Sequence, residues 1–347
     1  MGFKRLSIER EQGGHAQSLT VSVIIPAYRG AKFIGRALDS VLAQTFTDYE
    51  IIIINDGSPD TEELEKVLSS YAEQITYISQ PNTGPGGARN VGIRIARGLY
   101  LAFLDADDYW MPDYLKCQTG YLFGRESLDL VYADALLVGA SPLAGRTFME
   151  VTPSVGEVTC ENLLDENCTL ILSGTVVRRQ SVLDADLFDE QFRYAEDFDL
   201  WVRLLKQGAR FGYQKEVLLH RTEHSASLCS DAAVLFENAL SVIEKIKRAG
   251  NLSPRERSAL AMRQAKLRAC ISLEYARREF WADRFDIAAE QLKDANRFFR
   301  SLKLYCALFC IRRSPALLLR AYTSLRRSAF PRIDISAAQS SGLSSPS

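Results

Sequence analysis

Two short runs, residues 21–25 and 50–54, are β-branched or aliphatic almost throughout, with no polar alternation. Such runs mark strands buried on both faces. Between them, residues 31–44 place Phe33, Ile34, Ala37, Leu38, Val41 and Leu42 at helical spacing. A polar helix from Asp60, a strand at 75–79, a helix over 87–97 and a strand at 99–104 continue the alternation. A β-α-β-α-β-α-β order predicts a parallel sheet with right-handed crossovers. Ligands of such sheets bind at the carboxyl ends of the strands. The polar residues that matter should therefore follow Ile25, Ile54, Ser79 and Leu104.

Beyond Tyr114 the pattern is mixed. Strands are predicted at 130–138 and 174–177, a helix at 196–207, and two short strands at 211–213 and 216–219. From Ala232 the periodicity is helical to Arg326. Ser253-Pro254-Arg255-Glu256 is a capping box with proline at the first helical position. A helix over 286–299 should fold back on the one starting there. The expected organisation is an extension (1–19), an α/β catalytic domain (20–230), a helical region (231–333) and a Ser/Ala-rich tail (334–347), expected to be disordered.

Composition narrows the function classes. The 347 residues carry a formal net charge of −1, which gives no electrostatic reason to expect nucleic acid. Residues 1–20 are charged and lack an apolar core, unlike a secretory signal. No run approaches the ~18 apolar residues of a spanning helix. The seven cysteines form no CxxC pair, which fits reduced thiols in a cytoplasmic protein; Cys306 and Cys310 read as packing residues. Between Arg297 and Arg332 there are nine Lys/Arg and no acids, with leucines interleaved. That stretch, 297–332, suits peripheral contact with a membrane surface, or a helical cap whose basic face is merely solvated.

The sharpest chemical signal is Leu101-Ala102-Phe103-Leu104-Asp105-Ala106-Asp107-Asp108, an apolar strand delivering three carboxylates to the ligand edge. Crowded carboxylates repel unless a cation offsets them. Oxygen ligands suit Mg²⁺ or Mn²⁺. A solvated acidic turn ahead of a helix begun at Pro112 would also produce such a segment. An aspartyl-nucleophile phosphatase usually carries its aspartates on the first strand, not the fourth. Pro26-Ala27-Tyr28 follows the first strand and Asn55-Asp56-Gly57-Ser58 the second. Tyr28 could cover a nucleotide base and Asp56 accept its imide N–H, although the second segment could be a plain turn and cap. Asn82-Thr83-Gly84-Pro85-Gly86-Gly87-Ala88-Arg89-Asn90 offers glycines before a helix N-terminus, which favours phosphate. It is not a dinucleotide fingerprint. Glu196-Asp197 opens a helix on which Asp197 shares the inward face of Trp201 and Leu205. An inward acid is a candidate base, kept ionised by the helix N-terminus, or else a cap. His220 and His224 flank Arg221; a neutral His could ligate a metal and Arg221 could bridge phosphate, or the segment could be a surface loop.

Taken together, VSVIIPAYRGAKFIGRALDSVLAQTF, IIIINDGSPD, NTGPGGARNVGI, LAFLDADDYWMPD, SGTVVRR, AEDFDLWVRL and RTEHSAS resemble, in order, the family 2 inverting glycosyltransferases of GT-A fold. The resemblance spans residues 20–228. It implies a nucleotide-diphosphate sugar donor, UDP by default, and a hydroxyl acceptor on a saccharide or lipid-linked sugar, in polysaccharide or glycolipid synthesis. It also implies a hexosyltransferase-type reaction dependent on Mn²⁺ or Mg²⁺. By the same resemblance Asp107 would hold the metal, with His224 nearby. Asp105, Asp56, Pro26, Ala27 and Tyr28 would face the donor, Arg89 would line its nucleotide side, and Asp197 would be the general base. Asp108 needs no special role. The rival readings are a sugar-nucleotide nucleotidyltransferase, which needs a Gly-rich basic loop after the first strand where this chain has only Gly30, and a non-catalytic nucleotide-sugar-binding protein.

Overall fold

The computed structural model describes residues 19–223 and 232–315. The first half runs β1 (Val21–Ala27), α1 (Ile34–Leu42), β2 (Tyr49–Asp56), α2 (Thr61–Leu68), β3 (Ile75–Gln80), α3 (Gly84–Ile95), β4 (Tyr100–Phe103) and β5 (Tyr109–Trp110). Then come α4 (Tyr114–Leu122), β6 (Leu130–Gly139), the short α5 (Phe148–Val151) and α6 (Cys160–Leu164), β7 (Thr175–Arg178), α7 (Arg179–Asp184), α8 (Glu196–Lys206) and β8 (Phe211–Glu223). The helices α9 (Ala232–Ala249), α10 (Pro254–Trp281), α11 (Phe285–Phe299) and α12 (Leu302–Arg313) complete it.

Eight strands form one sheet, in the order β3-β2-β1-β4-β7-β6-β8-β5. The four strands anticipated from the opening alternation are parallel to one another. Past β4 the sheet becomes mixed, because β7 runs antiparallel to both β4 and β6. The near-continuous apolar strands are buried on both sides. Val21, Val23 and Ile25 join the core with α1, while Ile24 faces α3. There a β-carbon on Gly92 would stand 2.7 Å from the Ile24 side chain, so only glycine lets α3 lie this close.

The two short strands expected at 211–213 and 216–219 are one strand. β8 pairs with β6 along its length, with register shifts on either side of Asp134 that leave Lys215 and Glu216, and then Leu218, without a partner on β6. The polar interruption in the sequence is that bulge, not a turn.

The chain divides into two compact units between Gln264 and Ala265, within α10. The first unit therefore extends past the boundary expected near residue 230. It keeps α9 through the ion pairs of Lys245 with Asp189 and Asp199, and the start of α10 through Lys206–Glu256. In the second unit Ala276, Phe280, Ala288, Ala289, Leu292 and Ile311 form a small core joining α10, α11 and α12. The residues called a tail, 334–347, and most of the extension, 1–19, lie outside the described residues, as do 316–333.

Candidate active site

Four strand ends meet at one edge of the sheet. β1 ends in Pro26-Ala27-Tyr28: Ala27 is fully buried in the core, whereas Tyr28 is exposed, with the Arg29 guanidinium 5.6 Å from its ring centroid. Gly30 approaches the acidic loop so closely that an added β-carbon would stand 3.3 Å from that of Ala106.

At the end of β2, Asp56 is buried and already engaged. Its Oδ1 accepts the Thr83 N–H and the Gln80 Nε2, each at 2.8 Å, and its Oδ2 accepts the Gly84 N–H at 2.9 Å. Asp56 thus caps α3 across the sheet edge. The helix N-terminus read in the sequence as a phosphate cradle spends its first N–H groups on this carboxylate. Oδ2, with a single donor, retains acceptor capacity. Gly57, at φ +63, allows the close pass of the Asn82 backbone, 2.7 Å from where a β-carbon would stand.

Arg89 comes from α3, and its guanidinium sits between two carboxylates. One nitrogen is 2.7 Å from Asp105 Oδ1 and another is 2.6 Å from Glu196 Oε1. The side chain is 4% exposed, so the nucleotide-lining role expected of it competes with a buried bridge between the acidic loop and the head of α8. Burial alone would lower its pKa, but the Asp105 and Glu196 charges more than offset that and raise it. Two carboxylates around one guanidinium leave surplus negative charge, and burial pushes Glu196 up to about 7 although Arg89 opposes the shift.

The acidic loop is braced from below and from the side. The Asp105 N–H donates to Ser173 Oγ at 3.1 Å, and the Ser173 carbonyl accepts from Trp110 Nε1 at 2.8 Å. Asp105 stays part-exposed at the surface of the edge. Asp107 is half-buried. Asp108 is buried and accepts the Thr222 N–H at 2.8 Å, which ties the loop to the end of β8. Burial, then the neighbouring charges of Asp107 and Asp105, push Asp108 up to about 8. Asp105 and Asp107 set two carboxylates beside a guanidinium that Arg89 already shares with Glu196, and that is a physical fit for a divalent cation. Among the described residues no three His, Cys, Asp or Glu side chains converge as a cage. His224, the other expected ligand, lies outside the described residues.

α8 begins after Ala195, whose φ of +58 places a non-glycine residue in the left-handed region. That turn costs about 1–2 kcal/mol and delivers Glu196 and Asp197 together. Asp197 is half-buried, and burial raises its pKa, while the Phe198 N–H at 2.7 Å and the charges of Arg89 and Arg221 oppose the rise. Burial, not the helix terminus, therefore dominates its titration. Asp199 is 1% exposed and pairs with Lys245 and Arg203, each at 2.7 Å, holding α8 in place. His220 stacks on Tyr109 at 4.4 Å, and burial and Arg36 lower its pKa. Arg221 lies 5.2 Å from the Phe148 ring.

Ser173, Glu196, Asp199 and the bonding role of Asp108 were not singled out from the sequence. The Asp199–Arg203 spacing of four on a helix was a usable signal for one of them. The others depend on contacts between distant segments.

A mixed sheet that is parallel around β1, an acidic loop after β4 and a carboxylate pair heading α8 define the GT-A glycosyltransferase fold. The Pyrobaculum calidifontis mannosyltransferase PcManGT, solved with GDP-Man and Mn²⁺, superposes with a TM-score of 0.59 at 19% identity, over 89% of this chain and 84% of that one. The family model "Glycosyl transferase family 2" matches residues 22–133. An uncharacterized glycosyltransferase of Rickettsia prowazekii (strain Madrid E) is 31% identical over 219 residues, 61% of this chain and 66% of that protein, so the match falls just short of two thirds of that relative. The Escherichia coli UDP-Glc:alpha-D-GlcNAc-diphosphoundecaprenol beta-1,3-glucosyltransferase WfgD is 30% identical over 187 residues, 54% of this chain and 70% of that enzyme. The chain belongs to glycosyl transferase family 2.

Proposed function

We propose that this glycosyltransferase moves a sugar from a nucleotide-diphosphate donor, a UDP-sugar, to a hydroxyl of a lipid-linked saccharide, with inversion. The observation that carries this reading is the Arg89 bridge, which places the acidic loop and the Glu196-Asp197 pair on one edge of the sheet. Tyr28 and Asp56 Oδ2 would receive the base, with Pro26 and Ala27 supplying main chain. Asp105 would orient the ribose and diphosphate.

Asp197 is the general base of this reading. It takes the acceptor hydroxyl proton as that oxygen attacks the anomeric carbon and the bond to the diphosphate breaks, so a single displacement inverts the centre. Glu196, held by Arg89, orients Asp197 through the shared helix start. Asp107, with His224, would hold Mn²⁺ or Mg²⁺, which when bound supplies positive charge to the leaving diphosphate.

The acceptor assignment is supported by the lipid-linked acceptor in the WfgD name and by α12. That helix turns Leu304, Ala307, Leu308 and Ile311 toward the small core. On its opposite side Leu302, Tyr305 and Phe309 are 76%, 62% and 61% exposed. Cys306 is exposed and Cys310 only half-buried, so neither is the core packing residue expected of it. Lys303 and Arg312 flank the apolar stripe, and Arg313 lies near Phe309. An apolar stripe between cations suits an anionic lipid surface. No helix among the described residues is long and apolar enough to cross a membrane. The protein would act on the cytoplasmic face.

Incubation of the purified protein with a panel of UDP-, dTDP- and GDP-sugars and Mn²⁺ tests the reading. Release of free nucleoside diphosphate, with transfer to a diphospholipid-linked sugar, is expected. Formation of a nucleoside triphosphate and a sugar 1-phosphate when inorganic pyrophosphate is supplied would mean a nucleotidyltransferase, and binding without turnover a non-catalytic protein.

A further inference from the structure

One cation outside the carboxylate cluster joins the acidic loop to the end of β8. Arg36, in the first turn of α1, donates through Nη2 to the Asp107 carbonyl at 2.9 Å and to the Thr222 hydroxyl at 2.8 Å. Its guanidinium lies 4.3 Å over the Tyr109 ring, and Tyr109 stacks on His220 with 9° between the planes. The Thr222 N–H in turn donates to Asp108. The main chain of Asp107, the side chain of Asp108 and residue 222 are thereby closed into one circuit, with Arg36 as its outer clasp.

This clasp is not built for stability. Arg36 is exposed, and its partners among the described residues are a carbonyl, a hydroxyl and a ring, so solvent replaces much of what it provides. What it does fix is geometry. The end of β8 at Thr222 is held against the Asp107 main chain by one guanidinium nitrogen while the guanidinium plane lies over Tyr109, a combination that an ammonium on a flexible stem does not reproduce.

We propose that Arg36 is a positioning residue, which sets the placement of Asp107 against Thr222 at the end of β8 and so governs uptake of a divalent cation together with a nucleoside diphosphate. The proposal rests on the reading of Asp107 as a metal ligand. Lys at this position keeps the charge but loses the planar face that lies over Tyr109, and does not rescue.

The test is Mn²⁺ uptake in the presence of UDP, followed by the loss of the free Mn²⁺ electron paramagnetic resonance signal, without any turnover. In Arg36→Lys and Arg36→Gln the half-saturating Mn²⁺ concentration rises about tenfold, the effect of one lost charge-assisted hydrogen bond. Thr222→Val, which removes one arm and leaves the Asp108 bond, gives a smaller rise, and adding it to Arg36→Gln gives little more. Melting temperatures stay within about 4 °C of wild type. Unchanged uptake in the Arg36 variants overturns the assignment. If those variants do not fold, Thr222→Val decides: a raised half-saturation supports the clasp and an unchanged one overturns it. Wild-type protein that takes up no Mn²⁺ with UDP overturns the metal reading, and the proposal with it.

Discussion

Arg89 and Glu196 stand 2.6 Å apart with both side chains buried, joining α3 to α8 across 107 positions of sequence. With Asp105 on the other side of the same guanidinium, the pair ties the head of α8 to the acidic loop. Gly86 contributes to the same contact, since a β-carbon there would meet that of Phe188 at 3.3 Å.

Removing one partner of a buried ion pair strands the other, at a cost of about 3–5 kcal/mol. Arg89→Met should therefore lower unfolding free energy by about that amount in a urea titration. Arg89→Lys should recover little of it, because a single ammonium cannot span Asp105 and Glu196 as the fork does. Near-wild-type stability in both variants would contradict the bridge.

Asp197→Asn should reduce turnover by about 10²–10⁴-fold while UDP-sugar affinity, measured by calorimetry, is retained. The pH profile follows from the same residue. A base works ionised, and burial raises the Asp197 pKa above its ordinary 3.8. Activity should thus fall, as pH is lowered, at a pH higher than an ordinary aspartate would give. An acid limb at or below the ordinary aspartate value would contradict the assignment.

The outer stripe of α12 predicts binding to vesicles containing anionic lipid, and none to purely zwitterionic ones. Leu302→Glu with Phe309→Glu should abolish co-sedimentation and leave nucleotide binding intact. A double variant that still sediments, or a wild type that remains in the supernatant, would count against a lipid surface.

The sheet and the acidic loop were legible in the sequence because their signals are local. β-branched runs such as 50–54 announce buried strands, and three aspartates after Phe103 announce a ligand edge. Asp197 stood out because its spacing to Trp201 lies within one helix. The ties between distant segments were not legible. Asp56 caps a helix that begins 28 residues later, Asp108 meets Thr222 114 positions away, and Arg89 is drawn into a buried bridge by carboxylates from two other elements. Strand periodicity likewise broke at 214–216, where a bulge mimics a turn. Such features depend on which segments the sheet brings together, and no local spacing encodes that.

On the proposed function, Asp107 helps a divalent cation grip a donor diphosphate at the acidic loop. Calorimetric titration of UDP into the protein, with Mn²⁺ and with chelator, for wild type and Asp107→Ala, tests it most directly. Tight binding by the wild type only with Mn²⁺, and weak binding by Asp107→Ala with or without it, is the predicted result. A wild-type affinity for UDP that is the same with Mn²⁺, Mg²⁺ or neither would contradict it.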